Sequence, residues 1–106
     1  MPNRKLFVDD ERFPVDDTWD IARSFHEAIY LLERNEYDLV SLDHDIQSFY
    51  GNREMTGRDV LNWLIDRKIN AGWQHVPAFI EVHSQNFSDD ARPAMEASII
   101  KYWLKY

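Results

Sequence analysis

No cysteine occurs in the 106 residues. Disulfides and thiolate metal sites are therefore excluded, and a reducing cytoplasm is the expected compartment. A metal would have to be held by carboxylate, imidazole, backbone oxygen or water. Glycine and proline are scarce, at 3 and 4 residues. No stretch rich in them marks a linker, so residues 1–106 read as a single domain. Apolar runs are only a few residues long, too short to span a bilayer. The opening Met1-Pro2-Asn3-Arg4-Lys5-Leu6 carries no apolar segment of the signal-peptide kind. Basic runs are absent as well: 12 Lys and Arg stand against 19 Asp and Glu, a formal charge of −7. That excess repels the phosphates of duplex nucleic acid and the anionic face of a membrane, so neither is an expected partner.

The composition is 44% hydrophobic and 14% aromatic, which is too apolar for a disordered chain. Three helices carry start signals. Ser24 with Glu27 three residues on forms a capping box, and Ala28, Ile29, Leu31 and Leu32 give an apolar stripe to about Arg34. Thr56 with Asp59 is a second cap. Val60, Leu61, Trp63, Leu64 and Ile65 run from it toward Lys68, with Gly72 as the stop. The third helix begins near Asp90, tolerates Pro93 in its first turn, and repeats Met95, Ile99 and Trp103. Trp63, Tyr102 and Trp103 read as packing residues.

Lys5–Val8, Leu39–Leu42 and Ala78–Val82 are short apolar runs of the kind expected for strands covered on both faces, with Glu81 marking an edge. Trp19–Arg23 is a weaker fourth. The order β-β-α-β-α-β-α predicts an α/β fold, an open and mostly parallel four-stranded sheet with about three helices. Only about eight residues separate the first two strands, fewer than a parallel crossover usually needs. The second strand is thus either an antiparallel edge or is returned by a tight irregular loop.

Three strand ends finish in polar residues: Asp9-Asp10-Glu11-Arg12, Asp43-His44-Asp45 and His83-Ser84-Gln85-Asn86. In a parallel sheet they share one rim. Each alone is compatible with turn formation or capping. Together they concentrate carboxylates at a density that calls for a cation. A hard divalent ion, Mg²⁺ first and Mn²⁺ second, takes oxygen ligands and binds phosphate beside one or two carboxylates. Asp9, Asp10, Asp43 and Asp45 are the candidate metal residues. His83 and His44 suit general acid–base work near neutral pH. Arg12 suits a phosphate clamp, and Ser84 and Asn86 suit hydrogen bonds to the same oxygens. Asp45 also suits orienting His44. Residues Ile46–Met55 form a loop beside this rim, where Phe49 or Tyr50 would stack on a base and Arg53 would reach a phosphate. An ordinary surface loop is an equal reading.

Leu6-Phe7-Val8-Asp9-Asp10-Glu11, a strand ending at Asp43 and another ending at Ser84 resemble the receiver domain of response regulators. The resemblance implies a flavodoxin-like sheet, Mg²⁺ on Asp9 and Asp10, phosphoryl transfer to Asp43, and Ser84 on the phosphoryl oxygen. The usual first helix, the fifth strand and its phosphate-binding Lys are missing. Lys101 and Lys105, on the last helix, do not replace that Lys. Val8-Asp9-Asp10-Glu11-Arg12 with Pro14, Ser41-Leu42-Asp43-His44-Asp45, Thr56-Gly57 and His83-Ser84-Gln85-Asn86 are more similar to a divergent family, the cyclic-phosphate processing receiver-like domain. That resemblance spans nearly the whole chain and implies a phage or bacterial phosphoesterase. Its substrates would be cyclic nucleotides or the cyclic-phosphate ends of RNA, and Asp43 or water would be the nucleophile. The competing expectation is a non-catalytic signalling or nucleotide-binding module with Asp43 as phospho-acceptor. Five of the 19 acids, Asp9, Asp10, Glu11, Asp43 and Asp45, lie at the two acidic strand ends. Most of the negative excess is thus local, and a single phosphorylated end bridged by metal remains compatible with it.

Overall fold

The computed structural model describes residues 4–14, 16–43, 46, 48–73, 76–83 and 91–104, with the backbone alone for 48–50, 91, 92, 102 and 104. Strands β1 (Lys5–Val8), β2 (Trp19–Ala22), β3 (Leu39–Leu42) and β6 (Phe79–Val82) form one sheet in the order β2-β1-β3-β6, every pair parallel. Helix α1 (Phe25–Arg34) links β2 to β3, and α2 (Gly57–Ile69) precedes β6. Helix α3 (Ala91–Ile99) follows β6 and continues as a π-helical turn, Ile100–Leu104. A hairpin, β4 (Ser48–Tyr50) and β5 (Arg53–Met55), stands apart from the sheet. The α/β architecture is the expected receiver-like one, with the four strands in the flavodoxin-like order and three helices.

The second strand is parallel to the first, so the tight-loop alternative is the one realised. Local chemistry makes the short return feasible. The Asp9 carboxylate accepts from the backbone N–H of Glu11 and of Arg12, which turns the chain just past β1. Arg23, one residue beyond β2, donates to the carbonyls of Asp9 (3.1 Å) and Arg12 (2.6 Å), with its guanidinium over the Phe13 ring. Residues 9–18 thereby connect two parallel strands, with no helix among the described residues of the segment.

With that helix missing, burial on both faces holds for the central strands β1 and β3, where Phe7 and Ser41 are buried, and fails at the edge strand β6. The step from β1 to β2 runs one way across the sheet, and the steps to β3 and β6 run the other. Right-handed crossovers then place α1 and α2 on the same face. The buried core joins that face (Leu6, Val8, Ala22, Val40, Leu42, Ile80, Val82) to Ala28 and Leu32 of α1, Val60, Leu61 and Leu64 of α2, and Met95, Ile99 and Trp103. The opposite face carries Lys5, Phe7, Trp19, Ile21, Leu39, Ser41, Phe79 and Glu81 by register. Those residues lie outside that core, and Phe79 is 63% exposed. Strand β6 therefore alternates buried and exposed positions, as an edge strand does.

The hairpin falls in the segment expected to be a loop. Gly51, at φ +62°, with Asn52 supplies the two-residue turn, and a positive φ at that position favours glycine. Strands of three residues are too short to announce themselves by alternation. The first two helix starts lie where expected: the Ser24 hydroxyl accepts from Glu27 N–H, and Asp59 accepts from the N–H and hydroxyl of Thr56. The Glu27 carboxylate, however, accepts from Arg23 N–H, one residue before the cap. Asp90 lies outside the described residues. Trp103 is buried and donates to the Pro77 carbonyl at 3.0 Å, a packing role. Among the described residues no helix is long and apolar enough to cross a membrane.

Candidate metal and phosphate site

Parallel pairing extends one residue past the strands. Asp9 N–H donates to the Ala22 carbonyl, Asp43 N–H to Val8, and His83 N–H to Leu42, each at 2.9–3.0 Å. The residues following β1, β3 and β6 are thus held in register on one rim. Carboxylate oxygens of Asp9, Asp10 and Asp43 lie within 4.8 Å of one another. Asp9 is fully buried, Asp43 nearly so, and Asp10 half-buried.

Arg12 is the cation among them. Its Nε lies 2.9 Å from Asp9 Oδ2, and its Nη2 lies 3.4 Å from Asp43 Oδ2 and 3.3 Å from the His83 carbonyl. His83 closes the other side. Its Nε2 is 3.1 Å from Asp9 Oδ2, its Nδ1 is 2.6 Å from Ser41 Oγ, and its ring stacks on Phe7 at 4.2 Å.

The two central groups are perturbed in ways that follow from these contacts. Burial alone would raise the Asp9 carboxyl, but the N–H groups of Arg12 and Glu11, the His83 ring and the Arg12 charge outweigh it. They hold the group below its ordinary 3.8. Burial lowers His83 below its ordinary 6.5, and the hydrogen bond to Asp9 offsets this only in part. The ring is therefore neutral near pH 7, with one nitrogen donating and the other accepting.

The donor set suits a hard cation, since every group is a carboxylate oxygen and Mg²⁺ needs only one or two. Within that set, Asp9 Oδ1 accepts two backbone N–H groups and its Oδ2 faces Arg12 and His83, so the four acceptor positions of its carboxylate are engaged.

Of the residues singled out in the sequence, the rim brings together Asp9, Asp10, Asp43, Arg12 and His83. His44, Asp45, Ser84 and Asn86 lie outside the described residues, as do the side chains of Phe49 and Tyr50. Arg53 points elsewhere: it pairs with Asp59 at the start of α2, at 2.8 Å. Three participants carried no expectation. Ser41, Arg23 and Phe7 are ordinary as single residues. Ser41 was the most legible, because a hydroxyl two residues before Asp43 on a strand shares its side of the pleat.

An open parallel sheet in this order, with acids after β1 and β3 on one rim, defines a receiver-like domain. The chain matches the family model of the cyclic-phosphate processing receiver domain over residues 4–101, and it belongs to that family. No curated protein and no solved structure matches.

Proposed function

We propose that this domain is a divalent-metal-dependent phosphoesterase that opens cyclic phosphates, on small nucleotides or on RNA ends. The observation that carries the reading is the convergence of Asp9, Asp10 and Asp43 within 4.8 Å at the carboxyl ends of parallel strands, with Arg12 against two of them. Asp10 and Asp43 would hold Mg²⁺ or Mn²⁺. Such an ion neutralises phosphate charge and lowers the pKa of bound water. Arg12, 28% exposed, presents its fork to a phosphate oxygen while anchored on Asp9. By their place in the sequence after β6, Ser84 and Asn86 would add hydrogen bonds to the same oxygens. In ring opening a P–O bond to the nucleophile forms, a ring P–O bond breaks, and the released sugar oxygen takes a proton. Both nitrogens of His83 are engaged by Ser41 and Asp9. His44, which follows Asp43 in the chain, would then be favoured over His83 for proton transfer, with Asp45 as the residue that would orient it. The absence of cysteine fits action in a reducing cytoplasm.

The test is incubation with 2′,3′- and 3′,5′-cyclic nucleotides and a cyclic-phosphate-ended oligonucleotide, in Mg²⁺, Mn²⁺ or chelator. Metal-dependent ring opening that is lost in Asp43→Asn is the expected result. A folded protein that gives no product under any condition sinks the proposal. Asp43, directly after β3, also sits where a receiver is phosphorylated. If a small phosphodonor modifies Asp43 and no cyclic phosphate is opened, the signalling-module reading replaces the enzymatic one.

A further inference from the structure

We propose that Ser41 is a positioning residue for the acidic rim, pinning the His83 ring whose tautomer Asp9 sets and, through His83 and Asp9, holding Arg12 beside Asp43. The inference rests on the metal-site reading above.

Ser41 is a hydroxyl inside an apolar strand, 1% exposed, so it meets neither solvent nor substrate and acts only through its neighbours. Its Oγ lies 2.6 Å from His83 Nδ1, and the other ring nitrogen lies 3.1 Å from Asp9 Oδ2. An ionised carboxylate accepts hydrogen bonds and cannot donate them, so Nε2 carries the proton. A neutral imidazole has a single N–H. Nδ1 is then the acceptor, and the Ser41 hydroxyl is its donor.

Stacking on Phe7, with the ring planes 12° apart, restricts the imidazole to motion in its own plane. A flip would put carbon where both hydrogen bonds now sit. Asp9 Oδ2 is shared with Arg12, whose Nη2 reaches Asp43. The contacts Ser41–His83–Asp9–Arg12–Asp43 thus leave β3, cross the ends of β6 and β1, and return to the end of β3. Removing the hydroxyl leaves Nδ1 without its donor and frees the ring to shift in its plane, which loosens the hold of Nε2 on Asp9.

Long-range ¹H–¹⁵N spectra of the histidine rings in the full chain, at about pH 8 where free imidazole is neutral, read the tautomer directly. Calorimetric titration with Mg²⁺ reads the rim. The wild type should show His83 protonated on Nε2 alone. Ser41→Ala should keep that tautomer but shift the Nδ1 resonance, which has lost its donor, and bind Mg²⁺ about 3–10-fold more weakly, at or below the loss typical of residues that orient metal ligands. Ser41→Thr keeps the hydroxyl and should restore both. If its added methyl unfolds the chain, Ser41→Cys, a weaker donor of similar size, should give an intermediate Nδ1 shift. A wild type protonated on Nδ1, or a Ser41→Ala variant with unchanged ring signals and Mg²⁺ affinity, overturns the inference. A chain that shows the expected ring signals and their change in Ser41→Ala, yet neither binds Mg²⁺ nor opens cyclic phosphates, supports the hold of Ser41 on His83 and overturns the proposed function instead.

Discussion

Asp9 and Asp10 have the same chemistry and different surroundings. Asp9 is fully buried with two backbone N–H groups, a guanidinium and an imidazole on its oxygens. Replacing it with Asn turns a donor toward Arg12 or His83 and removes the charge that both face. Asp9→Asn should therefore lower folding stability by about 3–5 kcal/mol, the usual cost of removing one partner from a buried pair. Urea denaturation measures it. Asp10→Asn, at the half-buried position, should leave stability within about 0.5 kcal/mol and abolish Mg²⁺ binding in calorimetry. The same contacts set an acid response. The unfolded chain protonates its histidine near 6.5, while folded His83 does so only at lower pH. Between those values the unfolded state holds more protons, so stability falls as pH drops below about 6.5. Asp9 adds a second loss. Its folded pKa is depressed, so its contribution is full above the ordinary 3.8 and is lost as pH falls through the folded value. Urea midpoints measured across pH should fall in two stages, and His83→Gln should remove the first.

Among the elements, the hairpin β4–β5 and the start of α2 form one unit. Arg53 of β5 pairs with Asp59, and Asp59 caps the helix through Thr56. Gly51 is its weak point. A Cβ there meets nothing within 4 Å, so the cost of Gly51→Ala is that of the left-handed backbone alone. It should be about 1–2 kcal/mol, with no change in the core. Hydrogen exchange should show that loss within the hairpin rather than across the sheet. The segment of residues 9–18 is the other decisive element. It replaces a crossover helix with an Asp9-centred turn tied down by Arg23. Arg23→Ala should loosen that return and with it the placement of Arg12, whose carbonyl Arg23 holds.

The whole molecule is one-sided. All three helices share one core against one face of the sheet, and the other face presents Trp19, Leu39 and Phe79 to varying degrees. Phe79, 63% exposed, contributes little to folding where it stands. Phe79→Thr should change thermal stability by no more than about 0.5 kcal/mol. Trp103→Ala, which empties a core position and removes a bond to Pro77, should cost about 3–5 kcal/mol. Paired thermal melts of the two variants separate the core face from the exposed edge at Phe79. The net charge of −7 is uneven in the same way, with Asp9, Asp10 and Asp43 gathered on one rim.

Much of this was legible from residue order. Apolar runs and capping residues located the helices and the four main strands. The acidic strand ends named the rim before any geometry was known, because a parallel sheet brings such ends together. The three-residue strands of the hairpin were too short for periodicity to show. The direction of β2 could not be read either, since it depends on Arg23 reaching carbonyls eleven and fourteen residues earlier in the chain. Tertiary structure alone distinguished Asp9 from Asp10, and it alone brought Ser41 to His83 across 42 positions. Sequence sets which groups can donate, accept or carry charge. How those groups share one another's lone pairs depends on distances that exist only once the strands lie side by side.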